Sequence, residues 1–201
     1  MRERTYRTAT LLLFLAWLLL PGTSLAGAPA ALRVAAVQLR VEAPLLASAG
    51  AFAAHVEGLV AQAREFAPDL IVFPEYTSVF LALLPYYPEI RSSSTALEGL
   101  QRIRAREPMV SSFRDLFLLN SGLARRTMEQ LFGPLAERCG VPILAGSYFA
   151  WDNREGEVRL VNRAVLFGVD GRVAYSQDKV FLTPFEQELL GVAAGRLEDA
   201  A

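Results

Sequence analysis

Apolar and polar positions after residue 30 first follow a strand pattern, then a helical one, then a strand pattern again. Residues 32–39 are β-branched and apolar, which predicts a buried strand. Residues 46–66 carry apolar side chains at helical spacing, and Pro68 ends the helix that this spacing predicts. Residues 70–73 form a second short apolar run. A strand, a helix and a second strand make a βαβ unit, so the pattern predicts an α/β sheet.

Residues 77–122 are the least regular part of the chain. Proline and serine clusters interrupt them, and helical pieces are predicted at 96–106 and 111–119. Long stretches that follow a strand end often hold lids and substrate loops in α/β proteins. Three aromatic residues here either line a pocket or pack this stretch on itself, with packing the favoured role: Phe80, Tyr86 and Tyr87.

The rest of the chain predicts one helix followed by three strands. The helix covers residues 123–138, and Gly140 suits its C-terminal cap because glycine adopts the left-handed conformation without strain. Strands are predicted at 141–149, 158–167 and 172–176, with turns at 152–153, 155–156 and 170–171.

Residues 1–26 have the features of a secretory signal peptide. A segment with three arginines precedes an almost wholly apolar run at residues 9–20, which is too short to cross a bilayer as a helix. Ser24 and Ala26 place small residues at the −3 and −1 positions of a cleavage site. We therefore expect a secreted or periplasmic protein that is cleaved near Ala26. The alternative is a protein that this segment anchors in the membrane.

Charge and composition argue against several function classes. The net charge is −1 and no basic stripe is interleaved with aromatic residues, so nothing indicates a nucleic-acid partner. The chain has one cysteine, Cys139, and one histidine, His55, which excludes an internal disulfide and argues against a structural zinc site. The sequence has no Gly-x-x-x-x-Gly-Lys phosphate loop. We expect neither a cofactor nor a metal.

Lys179 is the single lysine among 20 basic residues, and all the others are arginine. An ammonium is a compact point charge whose pKa moves readily on burial, which a guanidinium does not offer. Glu75 follows the strand predicted at 70–73, at the end where ligands gather in open α/β sheets, and we expect it to be partly desolvated there. Lys179 likewise follows the strand predicted at 172–176. The carboxylate of Glu75 and the ammonium of Lys179 either share a catalytic site or form a plain ion pair.

Six short segments occur in the order in which one enzyme family carries them. The segments are Val34-Ala-Ala-Val-Gln-Leu39, Asp69-Leu-Ile-Val-Phe-Pro-Glu-Tyr76, Val141-Pro-Ile-Leu-Ala-Gly-Ser147, Asn162-Arg-Ala-Val-Leu-Phe167, Asp178-Lys179 and Leu182-Thr-Pro-Phe185. Through them, residues 32–195 resemble the nitrilase superfamily of carbon–nitrogen hydrolases. Each segment alone is weak, but six in the family's order, with the single lysine in the lysine position, are a specific signal.

The resemblance implies an α/β fold, a nitrilase-like α-β-β-α sandwich that is incomplete at the C-terminus, and a Glu–Lys–Cys catalytic triad. Glu75 matches the general base that activates the thiol. Lys179 matches the cation that stabilises the tetrahedral oxyanion. A second glutamate follows the lysine in the family; Glu186 is the candidate here and Glu188 is the alternative. The family chemistry needs neither a metal nor a nucleotide.

The nucleophile of the family has no counterpart in this sequence. In the family, the cysteine follows the lysine by some tens of residues, whereas no cysteine follows Lys179 in the 201 residues. Cys139 precedes the lysine at a helix–strand junction, where we expect a small buried residue rather than a nucleophile. Residues 27–201 are therefore expected to be a truncated carbon–nitrogen hydrolase domain that exposes a sheet edge and one apolar face.

The resemblance implies hydrolysis of a non-peptide C–N bond of an amide, carbamoyl or nitrile group through a cysteine thioester. Without the cysteine, we expect the chain to be inactive by itself. The alternative function is a non-catalytic exported module that uses part of the fold for binding or assembly. The expected partners are a small amide or nitrile substrate and further copies of the chain. A membrane is a partner only if the N-terminal segment stays uncleaved.

Overall fold

A five-stranded sheet is the centre of the computed structural model, which describes residues 31–197. The signal peptide predicted at residues 1–26 lies outside these residues. Within them, no helix is long and apolar enough to cross a membrane. The strands, in chain order and also in spatial order, are Val34–Ala36 (β1), Leu70–Val72 (β2), Ile143–Arg154 (β3), Glu157–Phe167 (β4) and Val173–Asp178 (β5).

Helices of three kinds accompany this sheet in the described part of the chain. The α-helices are Ala49–Arg64 (α1), Tyr87–Ile90 (α2), Ala96–Arg106 (α3) and Phe113–Cys139 (α4). Two 3-10 helices cover Ala43–Ala47 and Val79–Tyr86, and a single turn of π-helix covers Phe185–Leu189.

The sheet combines parallel and antiparallel pairing. β1, β2 and β3 run parallel, and α1 connects the first two of them, as the βαβ pattern predicts. β3, β4 and β5 are antiparallel neighbours. Glu155 and Gly156 both have positive φ angles, 56° and 86°, as a two-residue hairpin turn requires. The turn predicted at 152–153 is wrong, because β3 continues through those residues to Arg154.

The main core lies between one face of the sheet and helices α1 and α4. On α4, the Phe132 ring packs edge-on against Phe73, with centroids 5.2 Å apart, and stacks on Phe167 at 6.4 Å. On the other face of the sheet, Val72 and Leu144 pair across β2 and β3 and are half-buried. The α/β class is confirmed. Of the four layers that the resemblance implies, residues 31–197 form one helical layer and one sheet.

Helix α4 joins two stretches that were predicted as separate helices at 111–119 and 123–138. Its buried positions continue at helical spacing straight through Gly122, so one face stays in contact with the sheet and a lone glycine does not end the helix. Ser112 caps the N-terminus by accepting a hydrogen bond from the Asp115 N–H at 3.1 Å. Gly140, with φ of 66°, caps the C-terminus as predicted.

Candidate active site

Glu75 lies in a loop that leaves the C-terminal end of β2 and is tied to β3. The Tyr76 N–H donates to Ser147 Oγ at 3.0 Å, and the Ser78 N–H donates to the Ser147 carbonyl at 3.0 Å. The Ser78 hydroxyl donates to the Ala145 carbonyl at 3.1 Å. These bonds fix the backbone that follows the glutamate, and the Phe73 N–H, which donates to the Leu144 carbonyl at 2.9 Å, fixes the backbone before it.

Gly146 allows this close contact between the Glu75 loop and β3. Its φ is +68°, and a Cβ atom added there would lie 2.2 Å from the Pro74 carbonyl oxygen and 2.9 Å from Thr77 Cβ. The pairing of β3 with β4 is also irregular here, with a register shift between Leu144 and Ser147. Any larger residue at 146 would push the loop, and Glu75 with it, away from the sheet.

Tyr76, directly after Glu75, adopts a left-handed conformation with φ of +66°. This conformation costs a non-glycine residue roughly 1–2 kcal/mol, so the surrounding contacts must hold it. Its ring centroid lies 5.8 Å from that of Phe149, and its hydroxyl lies close enough to Glu186 to interact with it. Burial, the interaction with Glu186 and the negative charges of Glu75 and Glu186 raise the pKa of the Tyr76 hydroxyl above its ordinary value, so it keeps its proton.

Lys179 follows the end of β5, and the backbone around it is firmly held. Its N–H donates to the Asn162 carbonyl at 2.8 Å, and its own carbonyl accepts from the Gly195 N–H at 2.9 Å. The preceding residue, Asp178, is buried and makes a two-pronged ion pair with Arg163 across β4 and β5, at 2.6 and 2.9 Å. The lysine stem therefore starts from a fixed point.

The side chains of Lys179, Glu75 and Glu186 meet in one cluster. Lys179 Nζ donates to Glu75 Oε1 at 3.0 Å and to Glu186 Oε2 at 2.8 Å. The exposed fractions of the three side chains are 25% for Lys179, 46% for Glu75 and 0% for Glu186. The structure thus brings the predicted pair together, and Glu75 is partly covered, with 46% of its side chain facing solvent.

Glu186 can be buried because hydrogen bonds from within its own turn satisfy its carboxylate. Glu186 Oε2 accepts from the Thr183 N–H at 2.8 Å and from the Thr183 hydroxyl at 3.0 Å. The Glu186 N–H returns a bond to Thr183 Oγ1 at 3.3 Å, which completes the reciprocal pattern of a capping box. Glu188, the alternative, is exposed on the same turn. The spacing Thr-x-x-Glu is the sequence signal that distinguishes the two glutamates.

Two protonation states in the cluster follow from these contacts. Burial opposes the charge of Glu186, but hydrogen bonds from Lys179, Thr183 and Asn162, together with the nearby Tyr76 hydroxyl, more than offset it and lower the pKa of this carboxyl to about 2. Burial likewise opposes the charge of Lys179, and the bonds to Glu186 and Glu75 outweigh it, so the pKa of the ammonium is raised. At neutral pH, Glu186 is ionised and Lys179 is protonated.

Asn162, on β4, is a member of the cluster that the sequence predictions did not include. Its Nδ2 donates to Glu75 Oε1 at 2.7 Å and to Glu186 Oε1 at 3.0 Å. Because carboxylates only accept, the NH₂ group must face them and Oδ1 must face away. The residue is 2% exposed, and its Oδ1 has no partner among the described residues. The sequence signal was an uncharged polar residue that directly follows Leu160 and Val161 on this strand.

Cys139 lies away from this cluster. Its half-buried thiol at the end of α4 donates towards the carbonyls of Ala136 and Val141, both at 3.5 Å. Cys139 precedes β3 whereas Glu75 follows β2, and these strands are parallel, so the two residues lie at opposite ends of the sheet. Within residues 31–197, no group of three or more His, Cys, Asp and Glu side chains is placed to hold a metal ion.

A carboxylate and a protonated amine at the carboxyl ends of two strands can move a proton and stabilise a developing negative charge. The sequence model of the family described as carbon-nitrogen hydrolase matches residues 33–195. This chain belongs to the carbon-nitrogen hydrolase family. The match covers β1 to β5 and every member of the cluster.

No curated protein matches the chain in sequence. Several solved structures are similar to it. A carbon-nitrogen hydrolase from Helicobacter pylori G27 is 20% identical, with 83% of this chain and 45% of that chain covered and a TM-score of 0.46. An amidase of the nitrilase superfamily from Nesterenkonia AN1 is 18% identical (84% and 50% covered, TM-score 0.46). Nit3 of Saccharomyces cerevisiae is 18% identical (82% and 49% covered, TM-score 0.45). The chain spans about half the length of these proteins.

Proposed function

We propose that this protein supplies Glu75 and Lys179 as two of the catalytic residues for hydrolysis of a non-peptide C–N bond of an amide, carbamoyl or nitrile group. The observation that supports this most directly is the position of Lys179 Nζ, 3.0 Å from Glu75 and 2.8 Å from Glu186. Membership of this chain in the carbon-nitrogen hydrolase family supports hydrolysis of a C–N bond as the class of reaction.

In this proposal Glu75 carries the proton. It takes the proton from a cysteine thiol as the thiolate attacks the substrate carbon, and it passes that proton to the leaving nitrogen when the C–N bond breaks. Water then hydrolyses the thioester. The exposure of Glu75, at 46% of its side chain, suits a group that must meet both a thiol and a substrate.

Lys179 stabilises the negative oxygen or nitrogen that forms when the thiolate adds to the substrate. A fixed ammonium does this well because it needs no reorganisation during the reaction. Glu186 and Asn162 act through it: Glu186 keeps the amine charged and in place, and Asn162 Nδ2 holds both carboxylates, at 2.7 Å for Glu75 and 3.0 Å for Glu186.

We further propose that the thiol comes from outside these 201 residues and that the chain alone is inactive. Cys139 lies at the opposite end of the sheet from Glu75, and no cysteine follows Lys179. The test is to assay the 201-residue chain for ammonia release from small amides and nitriles. We expect none; turnover that persists in Cys139→Ala would contradict this account of the nucleophile.

The reaction itself is tested on the longest protein that the reading frame containing these 201 codons encodes. We expect it to release ammonia, and we expect Glu75→Gln and Lys179→Ala each to lower kcat/KM by at least about a hundredfold, the lower end for loss of a general base or an oxyanion donor. Glu188→Gln, on the exposed side of the same turn, is the matched control. A stable, folded product without turnover would favour a binding or assembly module instead.

A further inference from the structure

A cavity of about 630 Å³ adjoins the cluster of Glu75, Lys179 and Glu186. It lies between the 3-10 helix Val79–Tyr86, α3, the start of α4 and the turn Phe185–Leu189. Its volume falls in the range of about 300–1,000 Å³ that is typical of small-molecule sites. Phe80 lines it, whereas Tyr86 packs in a separate small core and Tyr87 packs against the main core, so the three aromatic residues of this stretch divide between the two predicted roles.

Most of the residues that line the cavity are aliphatic or aromatic, and Ser93, Ser94 and Thr95 add hydroxyl groups. The apolar residues include Leu46, Leu83, Leu100, Phe113, Phe117 and Phe149. Among the described residues that line it, Glu42 is the one charged side chain, and it is 56% exposed and paired with Arg40 at 3.0 Å. The interior therefore offers a ligand apolar contact and no buried charge.

Tyr76 and Phe185 connect the cavity to the charged cluster. Tyr76 lines the cavity while its hydroxyl interacts with Glu186, and Lys179 Nζ lies 6.0 Å from the ring centroid. Phe185 lines the cavity next to Glu186 and is 57% exposed at its rim. A molecule with its polar end beside Lys179 thus has an apolar space directly next to it.

We propose that this cavity binds the apolar acyl part of the substrate, so that the substrates are amides or nitriles with an aliphatic chain or an aryl group. This inference rests on the proposed function, because that function places the polar end of the substrate at Lys179. The apolar walls favour longer acyl groups by removing their surface from water, and they disfavour charged ones, which would lose hydration without a partner.

The test measures binding rather than turnover. Straight-chain primary amides from acetamide to decanamide are titrated into the 201-residue chain and followed by calorimetry or saturation-transfer NMR. We expect Kd to fall roughly fourfold with each added methylene until the cavity is full, the change that corresponds to burial of one CH₂ group.

Two variants of the cavity and one control locate the binding. Leu83→Trp fills the cavity from its wall, and Phe185→Ala removes an exposed part of its rim; both are expected to flatten the dependence of Kd on chain length. Leu97→Trp, on the exposed side of α3 and 60% accessible, is expected to leave it unchanged.

The outcomes separate this inference from the proposed function. If Kd does not vary with chain length, or if Leu83→Trp and Phe185→Ala behave like Leu97→Trp, the inference is overturned; this is also the result if a protein segment occupies the cavity. Glu75→Gln is expected to keep the chain-length dependence. If the dependence is present but the full gene product hydrolyses none of these amides, the proposed function fails while the assigned cavity stands.

Discussion

Lys179 donates to a carboxylate on each side, and this environment decides which member of the cluster can carry protons. An ammonium whose pKa is raised is not a base at neutral pH, and a carboxyl with a pKa of about 2 is not an acid there. In the proposed mechanism, Glu75, with solvent on one side, is therefore the proton carrier. The division of roles thus follows from contacts rather than from residue type.

Glu186 is expected to make the stability of the fold depend on pH. Its folded pKa of about 2 lies below its value in the unfolded chain, so the ionised carboxylate stabilises the native state above about pH 4–5 and this is lost as the pH falls towards 2. We expect the free energy of unfolding, from urea titrations, to fall more steeply in this window for the wild type than for Glu186→Gln, by on the order of 3 kcal/mol. Glu188→Gln should follow the wild type.

A second prediction concerns the bridging amide. Asn162→Asp replaces the NH₂ donor with a third carboxylate of the same shape, buried between Glu75 and Glu186. We expect a loss of roughly 2–5 kcal/mol in the free energy of unfolding at neutral pH, because a buried charge is left unpaired. The exposed Asn153→Asp on β3 is the control and should change stability by less than about 0.5 kcal/mol. Equal effects in the two variants would show that Asn162 does not hold the carboxylates.

At the scale of elements, the site depends on how closely the Glu75 loop approaches β3. Gly146→Ala would place a Cβ 2.2 Å from the Pro74 carbonyl oxygen at a φ of +68°. We expect it to destabilise the fold by more than about 2 kcal/mol and to displace Glu75. Gly58 is an exposed position in the middle of α1, where an added Cβ would meet nothing within 4 Å. Gly58→Ala should therefore stabilise the fold by roughly 0.5–1 kcal/mol. Thermal unfolding of both variants gives the comparison; the same sign for both would contradict it.

Periodicity and strand order were enough to predict the βαβ unit, the range of α3 and the meeting of Glu75 with Lys179. They were not enough to predict that α4 is continuous, because whether a helix passes through Gly122 depends on the sheet that it packs on. The role of Asn162 depends on its hydrogen bonds to Glu75 and Glu186. These partners lie 87 and 24 positions away from it in the sequence, so no local pattern reveals the contacts. The register of Glu186 was accessible through the Thr183 spacing.

For the whole molecule, export is predicted from residues 1–26, which lie outside the described residues 31–197. Determining the N-terminal residue of the mature protein tests this prediction. The basic segment, the apolar run and the small residues at 24 and 26 predict cleavage near Ala26. N-terminal sequencing of the protein from the extracytoplasmic fraction should therefore begin at Gly27. A chain that begins at Met1 or Arg2 and sediments with membranes would support the anchored alternative.

The most direct measurement uses the fact that the chain has one lysine. With ¹⁵N-labelled lysine, the protein gives a single side-chain lysine signal, and its pH titration reports the charge environment of Lys179. The structure predicts a pKa above the ordinary lysine value that falls in Glu186→Gln and in Glu75→Gln, since each variant removes a carboxylate within 3.0 Å of Nζ. A pKa at or below the ordinary value, unchanged in both variants, would contradict the cluster on which the account of this site depends.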